Sequence, residues 1–275
     1  MSKITIVYFS GTGNTAWVVQ QLAERLSELG DAVQSFSCEE IAPQDAALAD
    51  CDALGVAFPV HASWAPKSFR PFLAQLPPAE GMPLFVIACA AYFGGDAAWY
   101  AARPLAAQGY APFLYANVFM PNNLYPVPRP EQVARIAEKA SRKIDKLAPL
   151  IHQQRRHIEG VHPLGWLCGY IQRWSFAPLE RRMQRYLFAD DDTCNRCGWC
   201  VEHCSVGNIE LTEDAVRFLG KCIFCARCFH LCPQHSIQFT NATRNVSRFR
   251  RYPGPDGRYR PPRHEGRLVK IEPSE

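Results

Sequence analysis

The chain has 275 residues, 48% hydrophobic and 20% charged, a balance that supports packed cores and a length sufficient for two domains. No apolar run approaches the roughly 20 residues that a membrane-spanning helix needs. The formal net charge of +4 is unevenly placed: residues 1–158 carry 13 basic and 13 acidic side chains, so the surplus lies after them.

The first 158 residues alternate two periodicities. Residues 4–9, 53–58, 84–89 and 113–118 are continuous apolar runs, and residues 32–36 form a weaker one. Between them, Val18, Leu22, Leu26 and Leu29, and later Val133, Ile136, Ala140 and Ile144, recur at helical spacing. Strands buried on both faces and separated by helices predict an α/β fold, a doubly wound five-stranded parallel sheet. Such sheets bind ligands at the carboxyl ends of their strands. The N-terminus, Met1-Ser2-Lys3-Ile4, enters the first strand directly and predicts no signal peptide.

The loop after the first strand reads Ser10-Gly11-Thr12-Gly13-Asn14-Thr15 and opens onto the first helix. Glycines let the backbone curl around an anion, and a helix N-terminus offers unpaired N–H groups. Three hydroxyls add donors, and no lysine or arginine lies between Lys3 and Arg25. A phosphate here is held by neutral donors, which excludes a Walker loop with its Gly-Lys-Ser/Thr. The same residues also fit Gly11-x-Gly13-x-x-Ala16, a dinucleotide fingerprint, with Glu39 and Glu40 near the place of a ribose-binding acid. Crowded hydroxyls favour a terminal phosphate, as in FMN, over a pyrophosphate bridge.

Residues 159–189 read as an amphipathic helical connector. Trp166, Leu167, Tyr170, Ile171 and Trp174 form an apolar stripe that Leu179, Met183, Tyr186 and Leu187 continue. The bland expectation is that this stripe packs two domains together. The other is docking to a partner, or to a membrane surface, through residues 166–188.

Residues 190–243 carry the most specific signal. Cys194, Cys197, Cys200 and Cys204 repeat, 28 residues later, as Cys222, Cys225, Cys228 and Cys232, the last followed by Pro233. This is the ligand run of two [4Fe-4S] clusters, in which each run supplies the fourth ligand of the other's cluster. One cluster then takes Cys194, Cys197, Cys200 and Cys232, and the other Cys222, Cys225, Cys228 and Cys204. Zinc, the alternative metal, prefers paired cysteines around a longer spacer. The repeat extends to Ile209-Glu210-Leu211 and Ile237-Gln238-Phe239, a short strand after each run. Ser205 stands where the second run has proline, and its hydroxyl is placed to bond a sulfur. Cluster thiolates require a reducing compartment, which points to the cytoplasm.

The tail, 244–275, holds nine basic and four acidic residues among proline and glycine, with Phe249, Tyr252 and Tyr259 interspersed. Such a composition predicts solvated chain or a strap over the cluster domain, with docking to an acidic redox partner as a second use. A lone basic tail does not indicate nucleic-acid binding.

The loop at residues 10–15 looks like the FMN phosphate loop of flavodoxins. Joined to two bacterial-type cluster runs, it resembles the EFR-type flavodoxin–ferredoxin fusion proteins. The resemblance implies a small α+β ferredoxin domain with two [4Fe-4S] clusters after an FMN domain. It also implies that two loops enclose the flavin ring. One holds Pro59, Val60, His61 and Trp64, the other Ala91, Tyr92, Phe93, Gly94 and Gly95. Trp64 and either Tyr92 or Phe93 would stack on the ring, and His61 would sit near its edge. The implied function is electron transfer to a protein redox partner, a ferredoxin-type donor or a low-potential reductive enzyme. No general base, nucleophile or substrate clamp is legible, which favours a carrier over an enzyme. The alternatives are an FMN-dependent oxidoreductase acting on a small substrate or NAD(P)H, and a redox sensor.

Overall fold

The computed structural model describes residues 1–124 and 126–263; the last part of the expected tail, 264–275, lies outside the described residues. The first part of the chain alternates β1 (Lys3–Tyr8), α1 (Asn14–Glu28), β2 (Ala32–Ser37), α2 (Ala46–Ala49) and β3 (Ala53–Pro59). It continues through α3 (Arg70–Ala74), β4 (Pro83–Ala90), α4 (Ala97–Ala107), β5 (Ala111–Phe119), α5 (Pro130–His152) and β6 (His157–Ile158). The strands form one sheet in the order β2-β1-β3-β4-β5-β6, and every neighbouring pair is parallel.

Side-chain alternation along the central strands divides the core into two layers. On β4, Leu84, Val86 and Ala88 face the layer built with Phe69 before α3, Phe72 of α3, and Ala98, Ala101 and Leu105 of α4. Phe85, Ile87 and Cys89 face the layer built with Val18, Leu22 and Leu26 of α1 and Ile144, Leu147 and Ile151 of α5. The expectation of five strands is corrected to six. Leu114 pairs with His157 and Tyr115 with Ile158, and Glu159 N–H continues the ladder to the Tyr115 carbonyl at 3.0 Å. A two-residue strand between long helices carries no periodicity of its own, so its pattern was not legible.

α6 (Pro163–Gln184) follows and leads into a region of short elements: β7 (Phe188–Ala189), α7 (Trp199–Glu202), β8 (Ile209–Leu211), β9 (Val216–Phe218), α8 (Arg227–Leu231) and β10 (Ile237–Gln238). β7 pairs antiparallel with β10, and β8 with β9. The 28-residue offset of the sequence governs this architecture. β7 and β9 precede the two cysteine runs, and β8 and β10 follow them. Each pair joins one copy to the other.

Two expectations change here. The first part of the apolar stripe, Trp166, Leu167, Tyr170, Ile171 and Trp174, is exposed, whereas Met183 and Leu187 of its continuation pack with Phe224, Phe229 and Phe239. Along that first part the packed face of α6 is polar and glycine-containing. The described tail is not solvated chain either. Phe249 and Tyr252 are buried, and the tail reaches past the cysteine region to the loop after β1.

Candidate functional site

The loop at residues 10–15 is buried and internally braced. Ser10 Oγ accepts from the N–H groups of Gly13 at 3.1 Å and Ala16 at 3.3 Å. Gly13 takes a left-handed φ of +102°, which a side chain disfavours, and a Cβ there would lie 2.6 Å from Tyr259 Cβ. Thr12 Oγ1 accepts from Asn123 Nδ2 at 2.7 Å, and Asn14 Nδ2 donates to the Pro121 carbonyl at 2.9 Å. The first turn of α1 leaves the Asn14 and Thr15 N–H groups outside the helix's own bonding. Thr15 Oγ1 is buried without a hydrogen-bond partner. Orphaned donors and a buried hydroxyl, in a turn whose own residues carry no positive charge, fit an anion.

A cavity opens beside this loop, at the carboxyl ends of β1, β3, β4 and β5. Its walls are Gly11 and Asn14, residues 59–62, residues 89–91 and residues 120–124, with Phe176 of α6 and Phe224 and Cys225 closing it. Of the expected ring-contact residues, Pro59, Val60, His61 and Ala91 line this cavity. Trp64, Tyr92, Phe93, Gly94 and Gly95 do not line it. Trp64 packs edge-on against Tyr100 with ring centroids 4.9 Å apart and lies under the Arg70 guanidinium at 3.3 Å. Tyr92 and Phe93 are exposed, Gly94 lies against Asn117, and Gly95 turns the chain at φ +51°. The segment 120–124, Phe176 and Phe224 were missed in the sequence. The loop after β5 could have been included from the rule that ligands gather at strand carboxyl ends; Phe176 and Phe224 had no signal. Burial, then the Arg70 charge, hold the His61 imidazole down to about 4. Burial pushes the Cys89 thiol up to about 12, with the Thr15 hydroxyl opposing.

The two cysteine runs adopt one backbone twice. Arg196 and Phe224, Gly198 and Ala226, and Gly207 and His235 are pairs 28 residues apart, and all six have positive φ between 53° and 76°. Cys204 Sγ accepts from the Asn208 N–H at 3.2 Å, and Cys232 Sγ from the Ser236 N–H at 3.3 Å. Burial, then Cys232, Cys194 and Cys197, push the Cys200 thiol up to about 12. Burial, then Cys222, Cys225, Cys204 and Cys200, raise the Cys228 thiol well above its ordinary value. Cys194, Cys197, Cys200 and Cys232 line one small cavity. Among the described residues, no three of His, Cys, Asp and Glu converge to hold a metal ion. Ser205 Oγ lies 4.0 Å from Cys225 Sγ, on a buried residue.

Arg227 joins the two halves. It is 1% exposed and forms a bidentate pair with Glu39 at 2.8 and 2.6 Å. It also donates to the carbonyls of Ser10 (2.8 Å), Gly11 (3.3 Å) and His203 (2.9 Å). Burial opposes its charge, and Glu39 more than offsets that. With its donors so committed, Arg227 braces the loop from the carbonyl side. Glu39, the candidate ribose acid, is drawn into this pair. A Cβ on Gly11 would collide with the Cys225 carbonyl, so the loop and the second cysteine run touch backbone to backbone.

Residues 5–92 match the family model of the flavodoxin domain. The sheet half is flavodoxin-like. The matched stretch runs from β1 to the loop after β4; the cysteine runs lie outside it. No curated protein matches the chain. Among solved structures, a flavodoxin from the domain Archaea is similar at 16% identity, over 54% of this chain and 98% of its own, with a TM-score of 0.39. The two-electron reduced flavodoxin of Megasphaera elsdenii shows 23% identity, over 50% and 98%, with a TM-score of 0.39. The rubredoxin oxygen:oxidoreductase of the anaerobe Desulfovibrio gigas shows 18% identity, over 53% of this chain and 37% of its own, with a TM-score of 0.40.

Proposed function

We propose that the chain is an electron-transfer flavo-iron-sulfur protein that holds FMN against a ferredoxin-like unit with two [4Fe-4S] clusters. One observation carries the reading: the cavity beside the phosphate-type loop is closed by Cys225 and Phe224 of the second cysteine run. Residues 10–15 would hold the phosphate through neutral donors. Residues 59–62 and Ala91 would border the ring, with Met120 and Phe224 as further apolar wall. Trp64, Tyr92, Phe93, Gly94 and Gly95 would reach the ring only after local movement. Cys194, Cys197, Cys200 and Cys232 would hold one cluster; Cys204, Cys222, Cys225 and Cys228 the other. When bound, the clusters exchange single electrons and FMN links one- to two-electron chemistry. The protein's part is position, exclusion of water, and N–H···S bonds from Asn208, Ser236 and Phe224. A protein redox partner in the cytoplasm would complete the path.

Anaerobic purification with quantified iron, sulfide and flavin tests the reading. The expected content is roughly eight irons and one FMN per chain. Cys197→Ala should lose iron while flavin stays bound. Zinc on the thiolates, or a colourless anaerobic preparation, would overturn the proposal.

A second reading, direct action on a small substrate or NAD(P)H, draws on a neighbouring cavity. Lys67, Arg70 and Arg173 line it, and it shares His61, Ala62 and Phe176 with the first. Steady-state turnover of NAD(P)H without a protein partner would favour that reading.

A further inference from the structure

The outward face of α6 is apolar and aromatic, and its orientation is fixed. Leu167 is 57% exposed, Tyr170 67%, Ile171 52% and Trp174 77%. The inward face is tied by polar contacts. Arg173 donates to Asp96 at 2.7 and 2.9 Å and to the Ser63 carbonyl at 2.9 Å. Glu180 pairs with Lys67, and Gln184 donates to the Cys222 carbonyl at 2.7 Å. Asp96 and Glu180 are almost fully buried, so turning the helix to hide its apolar side would strand buried carboxylates. Gly169 lies so close to the Asp96 carboxylate that a side chain would not fit.

Charge identifies what covers this face. The one acidic residue of α6 is Glu180, buried and paired, so its exposed surface offers no negative charge. Arg182 and Arg185, beyond the apolar turns, are exposed. Exposed Arg103 sits over Trp99, 5.2 Å from the ring, and Trp99 meets Trp166 at 5.7 Å. The patch is thus a block of Trp, Tyr, Leu and Ile rimmed by arginines. Tryptophan and tyrosine rings settle at the headgroup level, aliphatic side chains beneath it, and arginines pair with lipid phosphates. At 22 residues the helix is about 33 Å long. No helix among the described residues is long and apolar enough to cross a membrane. We propose that α6 lies in the plane of an anionic membrane surface, with Leu167, Ile171 and Trp174 among the acyl chains and Arg182 and Arg185 on the headgroups. Its other side lines the proposed flavin cavity through Phe176, so the cavity lies one helix thickness from the lipid.

Co-sedimentation of the full chain with vesicles tests this. Vesicles of phosphatidylcholine with phosphatidylglycerol should carry the protein down, and pure phosphatidylcholine should do so less well. Ile171→Ser with Trp174→Ser, both at exposed positions, should reduce binding at least tenfold with unchanged circular dichroism. Arg182→Gln with Arg185→Gln should weaken binding to anionic vesicles by about fivefold per arginine and leave neutral vesicles unaffected. Protein that stays in the supernatant with anionic vesicles overturns the proposal, as does binding insensitive to both double variants. A vesicle-free dimer, seen by sedimentation velocity and abolished by Trp174→Ser, would assign the face to a second copy and overturn it too.

Discussion

The sheet half and the cysteine half bury different things. In residues 3–158 two apolar layers of Ile, Leu, Val and Phe sandwich a six-stranded sheet, and the fold stands on side-chain packing. In residues 187–239 the buried clusters are small, and cysteines are among their members: Cys200 and Cys232 sit in one with Ile209 and Ile237. Its strands are two or three residues long. The core of this unit is thus built partly from its own thiols. The difference teaches that sequence patterns of opposite kinds, continuous hydrophobicity and fixed cysteine spacing, specify structure by different routes.

The largest expected effect breaks the comparison open. On the proposed function, removing iron and sulfide should raise amide exchange across residues 188–239 about a thousandfold, on the order of 4 kcal/mol of lost local stability, while β1, β3 and β4 keep their protection. Equal loss in both halves would show that the sheet leans on the cysteine unit. Next comes the joint. Arg227→Met should cost about 3–5 kcal/mol in anaerobic denaturation, because it removes the buried guanidinium that pairs bidentately with Glu39 and braces the loop after β1. Adding Glu39→Met should recover much of that, and a pair of additive losses would mean that the ion pair is not the joint.

A smaller effect belongs to the sheet half alone. His61 is held neutral by burial and by Arg70, down to about 4 from 6.5. The unfolded chain takes up a proton on this ring below its ordinary value, and the folded chain resists. The stability from a neutral His61 is therefore complete above pH 6.5 and falls as pH drops towards 4, by about 1–3 kcal/mol. His61→Gln should flatten that stretch of the stability curve. The smallest effect lies in the cysteine half. Ser205→Ala removes a weak bond to Cys225 Sγ and should lower the potential of the cluster proposed there by about 20–40 mV in a spectroelectrochemical titration.

The cysteine repeat was the most legible part of the sequence, because backbone curls around a ligand demand fixed spacing. The pairs Arg196/Phe224 and Gly198/Ala226 share one backbone, although only the cysteines between them match. The loop after β1 was legible for a similar reason, since glycines and hydroxyls at a strand end have few other uses. The flavin-ring contacts were less so. Trp64 is an aromatic residue in the right loop, but Tyr100 and Arg70 compete for its faces, and no local pattern reveals such rivals. The Arg227–Glu39 pair spans 188 residues and was invisible for the same reason. Helical periodicity located the stripe on α6. Which way it faces is decided by Asp96 and Lys67, far away in the chain.

Tyr259 donates to the Ser10 carbonyl at 2.6 Å, and Tyr252 to Asn14 Oδ1 at 2.6 Å, contacts that reach back 249 and 238 residues. Closing so wide a span is slow, and nothing local rewards it beforehand. The turn that begins the molecule's α/β layer is thus latched by a strip made long afterwards. That turn therefore takes its final form only once residues 252–259 have docked against it.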